Sequence, residues 1–180
     1  AIRDYIEGKR VKHYKPISML VVLATFYGLL YYTFEIDMFS GNDDGTFDYK
    51  KVNEWVGHHF PIVILLQLPI YALGSYLVFR KQGFNYYEHI ILNSFYSAQK
   101  IWFRMAVLLV LVAIGKKDDF TTVSNWMFFP ELFLMFWSYG QFFKDLSKPK
   151  VLLKTFLTSL ISTFISLIVV VVFVMVFLMK

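Results

Sequence analysis

The chain contains no cysteine. Disulfides, thiolate zinc sites and cysteine nucleophiles are therefore excluded together. Charge is scarce: 17% of the 180 residues are Asp, Glu, Lys or Arg, against about a quarter in a soluble domain. Carboxylates are scarcer still inside the apolar stretches, which argues against an ion-coupled carrier. No nucleophile elbow, phosphate loop or zinc-protease helix occurs. No internal repeat marks an inverted-repeat transporter.

What is present in excess is apolar and aromatic. The chain is 57% hydrophobic, with 20 Phe, 12 Tyr and 4 Trp. Several apolar runs reach ~18 residues, the length that spans a bilayer core. The expected fold is an all-α integral membrane bundle of five transmembrane helices, at about 16–34, 60–79, 86–115, 124–143 and 151–179. Residues 1–15 form a basic juxtamembrane segment ahead of a transmembrane domain at 16–180. The chain opens on Ala1 and runs straight into charge, which suggests part of a longer protein.

The distribution of the 18 Lys and Arg residues fixes an orientation. Eleven fall on the side of the amino terminus: Arg3, Lys9, Arg10, Lys12, Lys15, Arg80, Lys81, Lys144, Lys148, Lys150 and Lys154. Five fall on the other: Lys50, Lys51, Lys116, Lys117 and Lys180. The positive-inside rule then puts the amino terminus inside and the carboxyl terminus outside. The net charge of +5 is topogenic on this reading, and no nucleic-acid partner is expected. Lys9, Arg10, Lys12 and Lys15 are candidate lipid-surface contacts, because bases beside an anionic leaflet are attracted to it.

The connection Glu35–His59 is acidic and carries SGNDDG at Ser40–Gly45, a turn signal. Its NDDGTFD run lacks the closing acid of a calcium loop, since Lys51 stands there. His58 and His59 are adjacent, so on a helix they diverge by about 100° and make a poor metal pair. No cofactor or metal is expected. Tyr27, Tyr31 and Tyr32 read as an interfacial aromatic belt, and Pro69 as a kink within the second span.

The third span is the unusual one. His89, Asn93, Ser97, Lys100 and Arg104 recur every three or four residues and share one helical face. Ionisable groups at bilayer depth nearly always face a protein interior or a water-filled cavity. In the fifth span Ser159 and Ser162 belong to a second polar stripe with Thr155, Thr158, Thr163 and Ser166. If the two stripes meet, they make a hydrogen-bonded seam or an inward-facing wet cavity. Arg104 and Glu131 lie about 16 and 10 Å from the ends of consecutive spans, and they are expected to pair as the arginine side chain snorkels outward to close the difference. Lys100, one turn deeper, should face the span-five hydroxyls or a cavity.

Two stretches carry a resemblance. DYIEGKRVKHYKPISML at Asp4–Leu20 and GFNYYEHIILNSFYS at Gly83–Ser97 together resemble a family of bacterial multi-pass inner-membrane proteins of unknown function. That family typically carries a zinc ribbon ahead of the membrane region, and this chain has none. The resemblance implies topology and the bacterial inner membrane, and no activity.

Two functions follow as expectations. The first is a non-catalytic accessory protein in the lipid bilayer, docking a membrane-protein partner or forming a homo-oligomer. The alternative is a conduit or binding protein for a small anionic solute or lipid head group, using the polar face of the third span.

Overall fold

The computed structural model describes residues 15–36 and 49–177. Among them all regular structure is helical: α1 (Pro16–Phe34), α2 (Tyr49–His58), α3 (Phe60–Phe79), α4 (Tyr86–Ala113), α5 (Phe120–Trp126), α6 (Phe128–Phe142) and α7 (Lys148–Phe177). Lys9, Arg10 and Lys12 lie outside the described residues, as do the NDDGTFD run and Lys180. Lys15 is described and exposed, directly before Pro16.

Four helical stretches are long and apolar enough to cross a membrane: Pro16–Phe34, Phe60–Gln82, Tyr86–Ala113 and Lys148–Phe173. The expected fourth span, 124–143, is instead broken. Trp126 closes α5, Met127 turns, and Phe128 opens α6. Pro130 is the cause. It has no N–H for the carbonyl of Trp126, and its ring crowds that carbonyl. The amide of Met127 meanwhile is shared between the carbonyls of Val123 and Ser124, both at 3.2 Å. Pro69, by contrast, lies inside a helix that runs unbroken from Phe60 to Phe79. Pro149 does not separate elements either; it sits in the first turn of α7, where proline is well tolerated.

Local chemistry sets the ends of α4. Asn85 and Glu88 form a capping box: the Asn85 side chain accepts from the Glu88 amide at 2.9 Å, and the Glu88 carboxylate accepts from the Asn85 amide at 2.7 Å. At the far end Gly115 takes φ +71°. The amides of Gly115 and Lys116 donate back to Val112 and Leu111 at 3.0 and 2.8 Å, a Schellman closure. The end of α1 closes the same way on Glu35, at φ 52°. There the left-handed conformation carries a side chain that disfavours it.

The core is built on the antiparallel pair α3–α4. Helix α1 packs against both, and α6 packs on α4. Helix α7 packs on α3 and α6. Consequently α4 and α7 do not lie side by side, and the two polar stripes of the sequence do not meet as a pair. Two core clusters divide the bundle along its length. One gathers Leu20, Ala24, Tyr27, Tyr31, Phe60, Ile101, Leu108 and Phe120. The other, toward the Gly83 end, gathers Phe79, Leu92, Tyr96, Met135, Tyr139 and Phe142.

Candidate functional site

The polar face of α4 is split into two regions with different chemistry. Toward Gly83 it is closed. His89 and Asn93 are fully buried there with Ser75 of α3. Ser75 Oγ donates to the Ala72 carbonyl at 3.0 Å and accepts from Asn93 Nδ2 at 2.9 Å. His89 Nδ1 lies 2.9 Å from the same oxygen. Since the Ser75 proton is committed to Ala72, Nδ1 must be the donor, which fixes the tautomer. Asn93 Nδ2 also donates to the His89 carbonyl at 2.8 Å. The Tyr139 hydroxyl of α6 donates to Asn93 Oδ1 at 2.9 Å.

A serine beside a histidine invites a nucleophilic reading, and the geometry opposes it. The Ser75 hydroxyl spends its only proton on a carbonyl, accepts two further bonds, and is sealed from solvent. An activated serine needs its proton on the base and an open face. The cluster is a seam joining α3, α4 and α6. Phe143 stacks on Phe79 at 4.0 Å and lies 5.9 Å from the His89 ring, which closes this end with aromatic rings.

The other half of the face is open. A cavity of about 330 Å³ runs along the bundle from Val56, Thr121 and Ser124 at the α2 end down to Tyr71 and Lys100. Its polar lining comes from Tyr27 and Tyr31 of α1, Gln67 and Tyr71 of α3, Lys100 and Arg104 of α4, and Glu131 of α6. The cavity is not where a meeting of the two polar stripes would have put it, in the half of α4 toward Gly83. The cavity lies at the end bearing α2 and the Lys116–Asp119 turn, because the aromatic plug and the histidine seam fill the opposite end.

Arg104 and Glu131 form an ion pair, Nε to Oε1. The guanidinium also lies beside the phenols of Tyr27 and Tyr31, whose hydroxyls are 3.2 Å apart. The carbonyl of Glu131 accepts a long bond from Tyr96, at 3.4 Å. Lys100 is different. It is 8% exposed, and its ammonium sits over aromatic rings, 5.0 Å from the centre of Tyr71 and 6.0 Å from that of Tyr96. Cation–π contact offsets part of the desolvation, but it supplies no counter-charge.

The sequence-derived candidates therefore scatter. Lys100, Arg104 and Glu131 meet at the cavity. His89 and Asn93 form the seam. Ser97 is buried but does not line the cavity. Ser162 is buried against Gly74 of α3, and Ser159 is only half-buried on α7. Tyr71 and Tyr139 went unread in the sequence, and Gln67 and Ser75, single polar groups in an apolar run, were given no site role. Tyr27 and Tyr31 were read as belt residues. Both are buried, and of that trio only Tyr32 faces outward. Among the described residues no three His, Asp or Glu side chains converge as a metal site would need.

Compared with models of protein families, with curated proteins and with solved structures, the chain finds no match.

Proposed function

We propose that this is a five-span protein of the bacterial inner membrane that binds a small anionic solute or lipid head group in the cavity beside Lys100. The observation that carries the reading is Lys100 itself. An unpaired cation at bilayer depth is disfavoured by at least ~2.5 kcal/mol on insertion scales. Such a cation is retained where a site uses it, and here it faces a cavity also lined by phenols and a guanidinium.

Five spans are supported by the course of the chain between Phe120 and Phe142. Phe120 meets the ring of Tyr31, near the far end of α1. Phe142 meets that of Phe84, beside Gly83 at the opposite end. Together α5 and α6 cover that distance despite the break. The Lys and Arg asymmetry supports an amino terminus inside, so the cavity would open outward. The resemblance of Asp4–Leu20 and Gly83–Ser97 to bacterial inner-membrane proteins supports the compartment, and Lys9, Arg10, Lys12 and Lys15 would rest against its inner leaflet.

The accessory reading keeps one observation of its own. Beyond Ser166 the apolar run of α7 is exposed from Leu167 to Val172 and again at Met175. Trp55 of α2 lies 5.0 Å from Phe173 there. Lipid covers such a surface as readily as a partner helix, so the cavity has the stronger claim.

Native mass spectrometry of the purified chain tests the proposal. A bound anion on the wild type that is lost in Lys100→Gln supports it. A stoichiometric protein partner with no anion, on both wild type and variant, overturns it in favour of the accessory role.

A further inference from the structure

From the charge count of the cavity we infer that its ligand is a singly charged oxyanion, a carboxylate or a phosphodiester, held by Lys100 alongside an intact Arg104–Glu131 pair. This rests on the anion-binding reading above and goes one step further, to the charge and the polar character of the ligand.

Three ionisable groups other than phenols line the cavity: Lys100, Arg104 and Glu131. Arg104 and Glu131 neutralise one another directly. One positive charge is left over, and it belongs to a side chain more than nine-tenths buried. A monoanion beside Lys100 would make the cavity neutral. A dianion would leave a buried excess of negative charge next to the Glu131 carboxylate. Like charges placed together without solvent are strongly disfavoured, so Glu131 acts as a filter against the second charge.

The hydrogen-bond inventory selects an oxyanion. Lys100 has three N–H donors and only ring contacts. In the Tyr27–Tyr31 pair one hydroxyl donates to the other, so the proton of the acceptor is free to point at a ligand. Gln67 adds amide donors. Acceptors are present too, in the Gln67 carbonyl and the Thr121 and Ser124 hydroxyls, but the only carboxylate in the lining is Glu131, already engaged by Arg104. A donor-rich wall suits an acceptor-rich guest. The volume of about 330 Å³ falls at the low end of ligand pockets, ~300–1,000 Å³. It fits one acidic group and a short substituent, or a lipid head group entering with its chains left outside.

The test uses the purified chain in detergent at matched ionic strength, read by the shift of its unfolding midpoint. The probes are acetate, sulfate and phosphatidylglycerol. Acetate or phosphatidylglycerol should bind about tenfold more tightly than sulfate, a difference of about 1.4 kcal/mol. A response to acetate points to a free solute, and a response to phosphatidylglycerol alone points to lipid. Lys100→Gln removes the surplus charge and should abolish the shift. Glu131→Gln raises the surplus to two and should reverse the preference toward sulfate. If that variant does not fold, Arg104→Gln/Glu131→Gln keeps a surplus of one and should retain the wild-type preference. Wild type binding sulfate as tightly as acetate overturns the monoanion inference while leaving anion binding intact. No response to any probe overturns both.

Discussion

Removing the carboxylate of Glu131 tests whether the Arg104–Glu131 contact is an ion pair with energetic weight or a coincidence of placement. Glu131→Gln keeps the shape and one acceptor oxygen and deletes the charge. Arg104 lies nine residues before the end of α4 at Ala113, so about 14 Å deep at 1.5 Å per residue. Breaking a fully buried pair from one side costs about 3–5 kcal/mol. The Arg104 side chain keeps 27% exposure, against 11% for Glu131, and it has two phenols beside it. The cost should therefore sit below that range, at about 2–3 kcal/mol. Arg104→Gln strands the less exposed partner and should cost at least as much. The double variant removes both charges and leaves two amides that can bond each other, so it should lose only about 1 kcal/mol. Equilibrium unfolding in mixed micelles measures the cycle. The expected coupling, the two single losses less that of the double variant, is about 3–5 kcal/mol. Effects that add to within ~0.5 kcal/mol, as for independent sites, would refute the argument.

Four further outcomes follow from the same geometry. Lys100→Met should raise ligand-free stability by about 1–2 kcal/mol while removing anion binding, since a site that stores an unpaired charge trades stability for function; a destabilised variant would contradict this in thermal unfolding. Glu35→Gly should stabilise by roughly 1 kcal/mol, because glycine takes the left-handed closure of α1 without strain; a loss in the same assay would count against it. At Gly74 an added Cβ meets Ser162 Oγ, so Gly74→Leu should cost about 1–3 kcal/mol or more by overpacking α3 on α7, while Gly74→Ala with Ser162→Ala should be nearly neutral; equal losses for the two would exclude close helix approach as the cause. Tyr139→Phe leaves Asn93 Oδ1 without its donor and should cost about 1–3 kcal/mol, and an unchanged midpoint would show the seam to be dispensable.

Much of the bundle could be read from the sequence because its signals are local. The third span, 86–115, appears as α4 from Tyr86 to Ala113, with Gly115 turning the chain. The Asn85-x-x-Glu88 capping box is an equally local signal, though it went unread. The pairing of Arg104 with Glu131 followed from their placement on consecutive helical runs, with the reach of the arginine side chain closing the difference in depth. The break at Met127 was only half legible: Pro130 signals a freed carbonyl at Trp126, but whether a helix bends through or breaks depends on its neighbours. The cavity was placed in the wrong half. The polar residues of α4 gave its face, but what fills or vacates that face comes from α1, α3 and α6, and nothing local says that Phe79, Phe142 and Phe143 converge at one end. Tyr27 and Tyr31 show the same limit, since belt and cavity tyrosines share one spacing. Ser75 could not be paired with His89 without knowing the register of α3 against α4.

Orientation and cavity can be examined together, because a chain without cysteine accepts single probes cleanly. Ser124→Cys at the mouth should react with a membrane-impermeant thiol reagent added outside, and Gly83→Cys only from inside. The most direct measurement of the central claim is anomalous scattering from crystals soaked in bromide, a heavy monoanion. A peak within ~4 Å of Lys100 Nζ, absent from Lys100→Gln crystals, is the predicted result. A cavity with no bromide in the wild type, or a peak that survives the loss of the ammonium, would contradict it.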